Sequence, residues 1–229
     1  MATLRNILEQ LQALSQPARK AGMARYGIEV AKAFGVTIPE LRKLAKTIGK
    51  NHALAQELWD SGFHEARILA SMIAEPKLVT AAQMDAWAHT FDSWDVCDQC
   101  VTNLFWKTPY AFAKAVEWNQ CEPEFVKRAG FVLMAVLAVH AKQADDQTFE
   151  AFFPFIEQAA QDARNYVKKA INWALRQIGK RNLALNHQAI AAAKRIQAQG
   201  TASAKWIAAD AVRELSSAKI QAHVQKRQR

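Results

Sequence analysis

The amino-acid sequence predicts an all-α protein on three observations. Apolar residues recur at spacings of three and four, beginning with Leu4, Ile7, Leu8, Leu11 and Leu14, the stripe that an amphipathic helix buries. The period-two alternation that marks a half-buried strand is absent. Glycine and proline together number only fourteen, eight and six of 229 residues, about half their usual share, so little punctuates the helical pattern.

Taken in order, the N-terminal stripe is the first helix. Brief breaks at residues 35–39, 49–52, 60–62, 75–77 and 144–147 then separate further helices. Arg67 begins one of them. The stretch Phe91-Asp-Ser-Trp-Asp-Val-Cys-Asp98 reads as the start of another, with Asp92 or Ser93 as its N-cap. Farther on, Val126 to Ala138 and Val167 to Gly179 echo one another 41 residues apart, and Ile207 to Leu215 repeats the theme 40 residues later. Those intervals match HEAT-type repeats, helix pairs that bury their apolar faces only by stacking on neighbours. The predicted architecture is therefore a curved solenoid of HEAT-like repeats with a concave basic face. Arg67, Lys127/Arg128 and Lys168/Lys169 open three of its helices and line that face, either as a row able to follow a phosphate backbone or as a solvated rim. No Ser/Gly-rich or Pro-rich linker divides the chain, so residues 1–229 are read as one domain, with a flexible basic tail at 218–229.

Composition bounds the function. A hydrophobic content of 51% with 22% charged residues is that of a folded chain. The longest apolar run, residues 129–139, is short of the roughly 18 residues a membrane span requires. Glu9 and its neighbouring glutamines interrupt any signal-peptide pattern, and three cysteines make no disulfide framework, so a cytoplasmic location is expected. The net charge of +9 suits a polyanionic partner or simply solubility. The glycines never cluster into a nucleotide-binding loop.

Asp92, Asp95 and Asp98 are spaced by three, near one helix face, but no partner motif on a second helix completes a metal site. Cys97 and Cys100 lack a second pair and read as core residues. The six histidines receive no role. Trp59, Trp87 and Trp106 are assigned to the core. Trp94 and Trp173, beside charged clusters, either pack between repeats or stack on a sugar, base or cation.

Six segments in order give these features a common reading: Met23-Ala-Arg-Tyr26, Gly35-Val-Thr-Ile-Pro-Glu-Leu-Arg-Lys-Leu44, Glu57-Leu-Trp-Asp60, Ser93-Trp-Asp-Val-Cys-Asp98, Lys127-Arg128-Ala129 and Lys169-Ala-Ile-Asn-Trp-Ala-Leu-Arg176. With them the chain resembles the bacterial DNA alkylation repair glycosylases built of HEAT-like repeats, the AlkD type. The resemblance implies excision of cationic alkylpurines such as 3-methyladenine and 7-methylguanine from duplex DNA without base flipping, by a monofunctional hydrolase that uses no cofactor and no metal.

Residue by residue, Asp98 corresponds to the catalytic aspartate, Trp94 and Trp173 to the aromatics that cradle the lesion's sugar, and Arg128 to the arginine that holds the backbone phosphate and keeps Asp98 ionised. Tyr26 and Arg176 fall at further DNA-contacting positions. Lys127, Lys168, Lys169 and Tyr166, with Arg42 and Lys43 from the segment that approaches DNA, complete the expected binding set. A monomer working in the bacterial cytoplasm, at the nucleoid during repair, is expected. Ser93 stands where the family has a tryptophan, Asn165-Tyr166 where it has two aromatics, and Ile38 where it has a threonine. Two rivals remain open at this point: a noncatalytic repeat protein that binds damaged or structured DNA, and a protein-binding scaffold.

Overall fold

A computed structural model describes residues 2–226, and among them every regular element is helical. The fifteen α-helices and one 3-10 turn fall into two compact units, residues 1–109 and 110–229. No helix among the described residues is long and apolar enough to cross a membrane.

The first unit holds α1 (Leu4–Ala13), α2 (Pro17–Arg25), α3 (Ile38–Ile48), α4 (His52–Asp60), α5 (His64–Ile73), α6 (Ala81–Ala88), α7 (Trp94–Asn103) and the 3-10 turn η1 (Phe105–Lys107). The N-terminal stripe behaves as the spacing predicts: α1 buries Ile7 and Leu11, and Thr3 caps it by accepting from the Asn6 amide. Thr37 and Glu40 start α3 with a reciprocal capping box that satisfies two otherwise orphaned amides. Helix α5 is the hub of this unit, packing on α3, α4 and α7. Beside it Trp59 and Trp87 stack with centroids 4.1 Å apart. Trp106, expected in the core, is only half-buried, because its indole NH reaches back 2.9 Å to the Thr102 carbonyl and its ring lies near the Lys107 ammonium.

The second unit holds α8 (Ala111–Trp118), α9 (Glu124–His140), α10 (Asp146–Glu150), α11 (Phe153–Ala159), α12 (Asn165–Gly179), α13 (Leu183–Ala198), α14 (Ala202–Leu215) and α15 (Ala218–Lys226). The three sequence echoes are the successive helices α9, α12 and α14. Helix α12 packs against both others, while α8 backs α9 and α13 backs α12 and α14. Polar contacts run along this unit at a fixed offset of 38 residues: Arg128 to Tyr166, Asn172 to Asp210, Arg176 to Glu214, Gln188 to Glu150 and Arg195 to Glu157. A constant offset means each helix pair docks on the next in one register.

The tail reading needs correction. Residues 218–226 form α15, which buries Val224 and is tied down by the Gln221 amide donating to Asn186 Oδ1 at 3.0 Å and to the Leu215 carbonyl at 2.7 Å. Residues 227–229 of the expected tail lie outside the described residues.

Gly130 lets α9 approach the end of α8. A Cβ built there would stand 2.4 Å from the Asn119 amide nitrogen and 2.9 Å from its Cα. Backbone cannot yield as a flexible side chain can, so Gly130→Ala is expected to destabilise the protein by about 3 kcal/mol, read as a lower urea midpoint at unchanged slope. A midpoint equal to the wild type would refute the close packing.

Candidate DNA-interacting site

In the first unit the candidate residues gather at the start of α7. Val96, Cys97, Cys100 and Val101 face the core, which leaves Trp94, Asp95 and Asp98 half-buried on the other side. Trp94 and Asp98, four residues apart, are neighbours on that face. The Trp94 indole NH donates to the Tyr26 carbonyl at 3.0 Å, which fixes the ring's orientation. Tyr26 itself turns its side chain outward and is 69% exposed. Arg42 and Lys43 lie exposed on α3.

Sequence reasoning missed what holds this helix start. Ser93 occupies the N-cap position, yet neither it nor Asp92 caps with its side chain; the Ser93 hydroxyl instead lies 3.2 Å from Asp92 Oδ1. Two side chains from the first turn of α5 do the anchoring. Arg67 donates to Asp92 Oδ2 at 2.9 Å and to the Thr90 carbonyl at 3.1 Å, with its guanidinium lying 5.5 Å from the Trp59 ring centroid. His64, nearly fully buried, pairs through Nε2 with Asp95 Oδ2 at 2.9 Å. Their spacing of three on α5 matches that of Asp92 and Asp95. The only available sequence signal was a basic pair opening one helix and an acidic pair opening another.

Burial alone would lower the His64 pKa, but the hydrogen bond and charge of Asp95, helped by Glu65 and Asp92, outweigh it and leave the pKa raised. A folded-state pKa above the ordinary value of about 6.5 stabilises the fold fully below that pH, and the contribution fades as pH rises through the raised value. The stability difference between wild type and His64→Gln, from urea unfolding, is therefore expected to be largest near about pH 6 and to shrink steadily in alkaline buffer. A difference that grows with pH would contradict the ion pair.

In the second unit, Tyr166, Lys169, Trp173 and Arg176 follow one face of α12. Trp173 is half-buried and Lys169 exposed. Arg128, in the early part of α9, is 6% exposed and donates to the Tyr166 carbonyl, so its guanidinium bridges α9 and the first turn of α12. Lys127 lies 3.4 Å from Asp162 Oδ2, a carboxylate shared with Arg164. Burial pushes the Asp162 pKa up, but the Arg164 hydrogen bonds and the charges of Arg164 and Lys127 pull harder, leaving it below the ordinary range.

Arg176 is engaged by carboxylates of α14: it pairs with Glu214, and its Nε lies 3.6 Å from Asp210. Lys180 joins Glu214 at 2.7 Å, and Arg213 pairs with Asp210. Asn172, fully buried beside Trp173, donates to Asp210 at 2.7 Å. The position read as a DNA contact is thus also a link in an α12–α14 charge network. Among the described residues no group of three or more His, Cys, Asp or Glu could hold a metal ion.

Chemically, the α7 pair combines a half-buried carboxylate with an indole held in place, both of which attract cations. The residues on α9 and α12 supply cations and an aromatic ring. A family model for DNA alkylation repair enzymes matches residues 7–215. The chain belongs to the DNA alkylation repair enzyme family. An uncharacterized protein of Listeria innocua serovar 6a is 24% identical over 200 residues, which cover 86% of this chain and 87% of that protein. One solved structure, described as a new family of proteins related to the HEAT-like repeat DNA glycosylases with affinity for branched DNA structures, superposes with a TM-score of 0.76 at 21% identity, covering 85% of this chain and 83% of its own. That likeness gives this member of the family the HEAT-like repeat fold.

Proposed function

We propose that the protein is a monofunctional DNA glycosylase that hydrolyses the N-glycosidic bond of cationic N3- or N7-alkylpurines in duplex DNA, acting as a cytoplasmic monomer without extruding the base. The observation that carries this reading is the α7 pair, Asp98 one helical turn from a Trp94 ring fixed by the Tyr26 carbonyl. An alkylated purine already bears a positive charge, so the bond to C1′ breaks with its electron pair leaving on the base, which departs neutral. The positive charge passes to the deoxyribose, where the Asp98 carboxylate offsets it as carboxylates do in glycoside hydrolysis. Water then adds at C1′, its proton passing to Asp98 or solvent, and an abasic site remains. Trp94 of the first unit and Trp173 of the second each offer an aromatic face that attracts cationic groups. Arg128 and the lysines Lys127, Lys168 and Lys169 hold phosphates.

The test is release of free base from methylated duplex DNA by the intact protein and by Asp98→Asn. Release of 3-methyladenine or 7-methylguanine that collapses in the variant supports the reading. A second reading, a noncatalytic binder of structured DNA, is favoured by the affinity described for the solved relative. Tight binding to branched DNA with no base release from either protein would select it.

A further inference from the structure

Lys168, in the first turn of α12, places its ammonium 5.2 Å from the ring centroid of Trp206, near the start of α14. Trp206 is 40% exposed, unusual for a side chain of its size. Lys169 and Lys205, the chain neighbours of these two residues, are exposed as well. None of the three lysines has a carboxylate within ion-pairing distance among the described residues. The nearby acids of α14 are already committed, Asp210 to Arg176 and Arg213, and Glu214 to Arg176 and Lys180. The result is a half-exposed indole with the Lys168 ammonium at its ring, flanked in the chain by the exposed Lys169 and Lys205.

Packing between repeats does not account for this indole, because the repeat's own core is already filled on the opposite side of α14 by Ala204, Ile207, Ala208 and Ala211. A protein-binding patch would be expected to dilute its charge, whereas this one concentrates a single sign around an aromatic ring. That combination suits a nucleic acid whose bases are unstacked: phosphates pair with the lysines, and a base or deoxyribose lies against the indole. Bases of an intact duplex are stacked and offer no free face.

We propose that Trp206, with Lys168, Lys169 and Lys205, binds an unpaired nucleotide of DNA and so gives the protein a preference for forked or branched DNA over plain duplex. The surface rests on the DNA binding proposed above but is separate from the α7 pair and takes no part in bond cleavage.

Fluorescence anisotropy with a labelled short duplex and the same duplex ending in a single-stranded fork tests it, alongside base release from methylated duplex. Wild type is expected to bind the fork more tightly. Trp206→Ala should weaken fork binding about tenfold, with duplex binding and base release unchanged; Trp206→Phe should retain most of the preference. Lys205→Ala should flatten the salt dependence on the fork by about one unit of log–log slope. Since Trp206 is partly exposed, circular dichroism should match the wild type. Binding and excision intact, with Trp206→Ala indistinguishable on forks, would overturn this surface alone. A wild type that binds no DNA would overturn both this surface and the function on which it rests. Poly-glutamate bound with the same dependence on Trp206 would assign the patch to an acidic protein and overturn it too.

Discussion

Replacing Glu65 with alanine is expected to lower the unfolding free energy by about 3–5 kcal/mol, the largest effect of any single side chain outside the apolar core. Glu65 is 1% exposed, on α5, and its carboxylate accepts the backbone amides of Phe34 at 2.8 Å, Gly35 at 2.6 Å and Val36 at 3.2 Å. Three consecutive amide dipoles converge on one charge, the arrangement that stabilises a buried carboxylate without a cation. Truncation leaves three buried donors unsatisfied and releases the segment that leads into α3. Gly35 in that segment has φ +83°, and a Cβ there would meet the Gln16 carbonyl oxygen at 2.6 Å. The backbone is therefore shaped to its acceptor and has little room to find another. Glu65→Gln should also destabilise, because the new NH2 group faces donors. Urea unfolding of the two variants is the check; a loss below about 1 kcal/mol for alanine would show that water replaces the carboxylate without penalty.

The second large effect follows from the proposed glycosylase function. Asp98→Asn is expected to slow single-turnover base release by about 10²- to 10³-fold, the scale of removing one preorganised electrostatic group from a transition state. DNA affinity should stay level or rise slightly, since a negative charge facing phosphates has gone. Trp94→Phe should cost less, about tenfold, because it keeps an aromatic face and loses the indole NH that binds the Tyr26 carbonyl. A rate for Asp98→Asn within tenfold of wild type would remove Asp98 from the chemistry and leave DNA binding as the protein's whole role.

Much of this molecule is legible in its sequence because the physics involved is local. Helix α1 follows from the spacing of Ile7 and Leu11, and α3 starts within the break read at residues 35–39. The echoes at 126, 167 and 207 mark α9, α12 and α14 because each repeat must bury the same face. Cys97 and Cys100 lie in the core, as their lack of partner motifs implied. Trp106 escaped the same logic because a nearby carbonyl satisfies its indole NH at a half-exposed position. The C-terminal segment misled because charge suggested solvent, while one apolar residue, Val224, found a slot in the preceding helices.

The sequence by itself determined the helical class, the repeat period, the net positive charge and the residue types on α7, α9 and α12, all properties of neighbours within a few turns of one helix. Only the tertiary structure decided which charges are spent on the fold and which face solvent. His64 and Asp95 are 31 residues apart, Glu65 and the Phe34 amide 31, Arg176 and Glu214 38. Nothing in a one-dimensional pattern distinguishes Arg176, held by two carboxylates, from Lys169, exposed on the same helix. Helix packing sets that difference, because a charge's partner is chosen by distance in space and a carboxylate on the next repeat is closer than any on its own.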